Sequence, residues 1–175
     1  MARPITTDEK ILRAPNELVQ PEEVESLIQE LEESLAQSPR AGVGLAAPQI
    51  GINKRIAIVR INTKDVKCSL NLVNPIIVEK LHPFIHKDEG CLSIPNEHFN
   101  AQRYGEIFIK DDSNPAGIIA VGFEAVVIQH EIDHLEGVLV RDRVIGKHKV
   151  GRNDPCPCGK KINGKPVKFK KCHGR

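Results

Sequence analysis

Gln129-His130-Glu131-Ile132-Asp133-His134-Leu135-Glu136-Gly137 is the stretch from which the rest of the chain can be read. On a helix, residues four apart project from one face one turn apart, so His130 and His134 can offer two imidazole nitrogens to a single metal ion, with Glu131 beside them. A metal held with an open position polarises a carbonyl and brings the pKa of bound water near neutrality, and a neighbouring glutamate can take that water's proton. The arrangement points to hydrolysis. Phe123, Val126, Val127, His130 and His134 recur at three-and-four spacing, and Gly137 follows where a left-handed cap would end the helix. Val126 and Val127, one turn before His130, are expected to wall an apolar pocket beside the metal.

Two protein ligands are one short of the usual catalytic set. Upstream, Glu89-Gly90-Cys91-Leu92-Ser93-Ile94-Pro95 offers Cys91, whose thiolate is a good soft ligand for a divalent ion also bound by imidazole. From the residues alone, Cys91 as third ligand and Cys91 as a buried free thiol both stand. Gly42-Val43-Gly44-Leu45-Ala46-Ala47-Pro48-Gln49-Ile50-Gly51 is small and apolar apart from Gln49, whose amide donors are held in an otherwise apolar setting. It lacks the Gly-Lys-Ser/Thr ending of a phosphate loop.

The remaining elements frame these motifs. Met1 to Asn16 reads as an irregular arm over the surface. Pro21 to Ser38 reads as an amphipathic helix with Val24, Leu27, Ile28, Leu31 and Leu35 on one stripe and acidic residues in its first turn. Arg55 to Ile61, Leu70 to Leu81 (interrupted at Asn74-Pro75), Glu106 to Asp111 and Ile118 to Gly122 read as strands, the last two joined by a turn over Ser113 to Gly117. One helix early, one late and strands between give an α+β fold: antiparallel sheets packed around a central metal-binding helix.

With 175 residues the chain suits one core domain and a small appendage. No apolar run approaches a membrane span and the N-terminus does not resemble a signal peptide, so a cytoplasmic protein is expected. The net charge of +2 hides a division: residues 141–175 hold twelve Lys/Arg against two Asp/Glu, while residues 1–140 hold 13 against 21. The boundary falls near 146, giving a catalytic unit over 1–146 and a basic module over 147–175. Such a patch favours RNA, ribosome or acidic protein surfaces. Of five cysteines, three lie in this tail. Cys156, Cys158, Cys172 and His173 make a closed three-sulfur, one-nitrogen set for structural zinc, which would supply the folding energy a short segment lacks. Cys68 reads as an inert, partly buried thiol.

The motifs at 42–49, 89–93 and 129–134 together resemble, in order, those of the peptide deformylases, over about Leu12 to Val144. The resemblance implies an enzyme that removes the formyl group from the formyl-methionine of nascent peptides. It implies Cys91, His130 and His134 as ligands of one divalent ion, Fe2+ or alternatively Zn2+, Ni2+ or Co2+, and Glu131 as general acid/base. Gln49, through its side chain, and Leu92, through its backbone N–H, would serve the oxyanion, while Val43, Gly44, Val126 and Val127 would contact substrate. Lys87 and His98 depart from the commoner pattern and Arg103 matches it. The tail resembles the SEC-C zinc motif, with a longer Lys-rich insert over Ile162 to Val167, which implies docking to a ribosome, ribosomal RNA or a SecB-like chaperone. Two other readings share parts of the sequence. A zinc peptidase would use the same helix without Cys91, and a non-catalytic binding module would have no use for Glu131.

Overall fold

The helix with the two histidines runs over Gly122–Leu135 (α3) in the computed structural model, which describes residues 2–144, 153, 161–162 and 165–172. Its end follows from Gly137: at φ +68° this residue lets its own N–H reach the His134 carbonyl (3.1 Å) and Val138 N–H reach the Asp133 carbonyl (2.8 Å), the paired bonds of a Schellman cap. Asn16 Nδ2 donates to the carbonyls of His134 (3.3 Å) and Leu135 (3.0 Å), meeting acceptors the helix cannot satisfy itself.

Two three-stranded antiparallel sheets enclose α3. The first has strands Gly44–Ala46 (β1), Ile56–Asn62 (β2) and Lys67–Val73 (β3) in the order β1-β2-β3. The second has Ile76–Cys91 (β4), Ile94–Asp111 (β5) and Asn114–Val121 (β6) in the order β4-β5-β6. The antiparallel α+β expectation holds. The two-residue period of β2 divides the interior. Ala57, Val59 and Ile61 pack with Ile107, Ile109, Ala125, Ile128 and Ile132 around α3, whereas Ile56 and Ile58 pack with Leu27 and Leu31 of helix Val24–Ala36 (α2). The α2 stripe faces the core as expected, after a short 3-10 turn over Pro21–Glu23.

The structure differs from the sequence expectation in three places. The N-terminal arm carries a helical turn, Glu9–Leu12 (α1), and buries Leu12 beneath Ile94, Phe99 and Leu139. The segment between the two expected strand pairs is a long hairpin in which β4 and β5 run on until Cys91 pairs with Ile94 across Leu92-Ser93. Finally, β6 begins at Asn114, inside the expected turn, because Asp111 Oδ1 accepts from the N–H groups of Ser113 (2.7 Å) and Asn114 (3.0 Å) and tightens the connection.

At Asn74-Pro75, where a strand interruption was expected, the chain passes from one sheet to the other with Asn74 at φ +52°. Asn74 Oδ1 accepts from Val19 N–H (2.9 Å) and its Nδ2 donates to Val19 O (3.1 Å), pinning the arm to the crossing. Asn74→Ala is expected to cost about 2 kcal/mol, through three lost side-chain hydrogen bonds, two to Val19 and one to Asp112, and a side chain poorly suited to positive φ. Asn74→Gly should cost less, since glycine keeps the backbone geometry. Urea midpoints of both variants check this.

Candidate active site

The hairpin carries Cys91 to α3. The Cys91 Sγ lies 3.3 Å from His134 Nε2, and one donor atom from each of Cys91, His130 and His134 falls within 4.8 Å of the others. Metal bonds of about 2.0–2.3 Å place the donors of a tetrahedral ion roughly 3.3–3.7 Å apart, so the cluster can close on an ion with small adjustment. His134 Nδ1 and Glu131 Oε2 are buried polar atoms without a hydrogen-bond partner. Burial, the largest cause, holds the His134 pKa well below its ordinary value and favours the neutral imidazole, the form that ligates metal.

Glu131 is packed under Gly44: a Cβ built on Gly44 would stand 2.4 Å from Glu131 Oε1. The glycine is therefore needed for close approach. Burial, the largest cause, pushes the Glu131 carboxyl up to about 7, where it can exchange a proton at neutral pH. Gln49 sits on the 3-10 turn Ala47–Ile50, and its Oε1 accepts from Ala46 N–H at 2.9 Å. That bond turns Nε2 toward Ser93 Oγ (3.3 Å) and Cys91 Sγ (3.8 Å). Val43, Gly44, Gln49, Cys91, Leu92, Val126, Val127, His130 and Glu131 all line one cavity of about 440 Å3; His134 lies beside it, next to Cys91. The sequence-predicted active-site residues are thus brought together from β1, the hairpin tip and α3.

Sequence reasoning did not foresee the support beneath them. His130 Nδ1 lies 2.6 Å from Glu89 Oε1. Arg103 Nε and Nη2 donate to Glu89 Oε2 (3.0 Å) and Oε1 (2.6 Å), Arg103 Nη1 donates to Asp133 Oδ2 (2.6 Å), and Arg143 donates through Nε and Nη2 to both Asp133 oxygens. Arg103 is 2% exposed. Its side chain is committed to this network and does not line the cavity. Burial opposes the charge of Glu89, but hydrogen bonds from His130 and Arg103 outweigh it and hold the carboxyl at about 2. The available signals were Glu89 and Asp133 within the quoted motifs, but their partners are far away in sequence.

Cys68 is half buried, and its thiol is 3.2 Å from Glu124 Oε1; burial first, then that carboxylate, pushes its pKa to about 12, so it is inert as expected. Cys156, Cys158 and His173 lie outside the described residues. The backbone of Cys172 closes the short helix Phe169–Cys172 (α4), after strands Lys161–Ile162 (β7) and Lys165–Pro166 (β8).

Because the folded-state pKa of Glu89 is depressed, its contribution to stability is complete above the unfolded value near 4.5 and is lost as pH falls from there toward 2. A fall from 4.5 to about 2 corresponds to about 3 kcal/mol. In chelator-treated protein, the acid limb of stability against pH should therefore be shallower by about that amount in Glu89→Gln, measured by urea unfolding between pH 6 and pH 2.

The family model described as polypeptide deformylase matches residues 2–150. A peptide deformylase of a Picosynechococcus species is 40% identical over 130 residues, covering 70% of this chain and 67% of that protein. A solved class I type b peptide deformylase from Acinetobacter baumannii, with Met-Ala-Ser bound, is 29% identical with a TM-score of 0.73, over 82% of this chain and 99% of that one. A peptide deformylase from Synechococcus elongatus, in complex with actinonin, is 33% identical with a TM-score of 0.70, over 82% of this chain and 80% of that one.

Proposed function

Since this chain belongs to the polypeptide deformylase family and removes the N-formyl group from nascent peptides, we propose that Cys91, His130 and His134 hold its divalent ion and that Glu131 is its general acid/base. The observation that carries the assignment is the convergence of those three donor atoms within 4.8 Å, beside a buried carboxylate without a partner. A bound divalent ion would polarise the formyl carbonyl and make water acidic enough to serve as nucleophile near neutrality. Iron(II) is the native metal in this reading, with Zn2+, Ni2+ or Co2+ as substitutes.

Glu131 takes the proton of the attacking water at its free Oε2 and delivers it to the departing amine nitrogen. Gln49 Nε2 and the Leu92 backbone N–H donate to the oxygen on which charge develops, each worth about 3 kcal/mol of barrier. The acceptor of Gln49 is already occupied by Ala46 N–H, so only its donor end can turn to the substrate. Val43, Val126 and Val127 surround the methionine side chain, and Gly44 lets the peptide backbone approach. Glu89 fixes the ring of His130 through Nδ1, leaving Nε2 for the metal. The expected product is a peptide with a free N-terminal methionine, the kind of molecule described in the Acinetobacter relative.

The test is formate release from formyl-Met-Ala-Ser by anaerobically purified protein loaded with ferrous iron or nickel. The wild type should turn over. Glu131→Gln, with the same metal content, should lose at least about a hundredfold, the range of general acid–base catalysis. Cys91→Ala should lose metal as well as activity; full retention of both would favour a peptidase-like site without a cysteine ligand.

For residues 147–175 we propose a separate zinc module, with Cys156, Cys158, Cys172 and His173 as ligands, that docks the enzyme on a ribosome or a SecB-like chaperone. The support is the sequence: a closed ligand set and a strongly basic composition. Deletion of residues 151–175 should remove one equivalent of zinc and weaken ribosome co-sedimentation or chaperone binding. If both remain unchanged, the docking role is wrong.

A further inference from the structure

Arg143 does not line the catalytic cavity, yet its side chain is the outer end of the buried ion network. It is 39% exposed, against 9% for Asp133, 6% for Glu89 and 2% for Arg103. Asp133 Oδ1 accepts from Arg143 Nη2 (2.6 Å), and Asp133 Oδ2 is shared between Arg103 Nη1 (2.6 Å) and Arg143 Nε (3.1 Å). The two arginines and the two carboxylates balance. Without Arg143 a single buried cation would stand between two buried carboxylates, and Oδ1 would lose its donor. Such a carboxylate turns toward the cation that remains. Arg103 is then drawn to Asp133 and loosens its hold on Glu89, whose Oε1 lies 2.6 Å from His130 Nδ1.

Arg143 also ends the 3-10 turn Val140–Arg143, which has its own fastening. Arg13 donates to both Asp142 oxygens (2.7 and 3.2 Å), and Asp142 Oδ2 accepts from Leu139 N–H (2.9 Å). We propose that Arg143 is a positioning residue of the deformylase reaction: from outside the cavity, through Asp133, Arg103 and Glu89, it holds His130 on the catalytic ion, and it does so only as firmly as this turn is seated. The inference rests on the ion site proposed above.

The test follows the transfer of nickel from loaded full-length protein to an excess of chelator, with Cys91→Ala as the baseline for ions held elsewhere. Arg143→Met keeps the stem of the side chain and removes its donors; it should release nickel about tenfold faster than the wild type, the lower end of what partners behind a ligand contribute. Arg143→Lys, which restores the charge without the fork, should lie between the two. Arg13→Met, which frees Asp142 with Arg143 intact, should also lie between. Asn74→Ala, weakened at the sheet crossing and outside the network, should release nickel at the wild-type rate. At saturating nickel, kcat for formyl-Met-Ala-Ser should fall in Arg143→Met while KM stays close to the wild-type value. Wild-type nickel retention in Arg143→Met, or equal loss in Asn74→Ala, overturns the proposal, and wild-type retention in Arg13→Met overturns its dependence on the turn. If the wild type holds no more nickel than Cys91→Ala, the ion site itself is wrong and this inference falls with it.

Discussion

The buried ion network centred on Arg103 is the constraint on which the site depends. Arg103 joins Glu89 of the hairpin to Asp133 of α3, and Arg143 closes the far side of Asp133. Charges this deep are costly unless each is paired and fully hydrogen-bonded, and here every donor nitrogen of Arg103 faces a carboxylate oxygen. The network is specific because no other docking of hairpin on helix would satisfy it. It fixes the distance between the strand that ends in Cys91 and the helix that carries both histidines, and its last link, Glu89 to His130 Nδ1, sets which imidazole nitrogen is free.

Much of this was legible in the sequence, and the reason is local periodicity. The three-and-four spacing of Val126, Val127, His130 and His134, stopped by Gly137, can arise from no element but a helix. The stripe of α2 and the Val/Ile content of β2 were equally plain. The hairpin was not, because its first limb is exposed on both faces: Glu79, Lys80, His82, Lys87 and Asp88 interrupt any two-residue alternation, and bulges at Ile77/Glu79 and His86/Glu89 break the period further, while the second limb alternates but places the polar Arg103 and Asp111 among its buried positions. The arm was underestimated for a similar reason. A single buried Leu12 and one asparagine capping a distant helix leave no repeating pattern. Arg103, Asp133 and Arg143 were visible as residues but not as partners, since pairings across 14, 30 and 10 positions are set by tertiary geometry alone.

The close packing around Glu131 shows how one fold meets opposed demands. A carboxylate with a pKa near neutrality needs burial, whereas a group that is to take a proton needs an oxygen not already engaged. Gly44 allows both: its bare backbone lies over Oε1, and Oε2 is buried yet without a hydrogen-bond partner. Two neighbouring glutamates, 89 and 131, are thereby driven to opposite ends of the carboxylate range by different surroundings, one by salt bridging and one by desolvation.

The placement of Cys91 at the very tip of the hairpin has a mechanical consequence. The tip is seated on the body by Ile94 and Phe99 packing against Leu12, Leu139 and Val140, a cluster that also touches Cys91. An ion shared between the tip and α3 would act as a staple closing the loop from residue 91 to residue 130, so the affinity for metal and the seating of the hairpin are one linked quantity. Loosening the apolar seat at Phe99 would weaken ion retention without touching a ligand, and a bound ion would in turn make the whole hairpin slower to open.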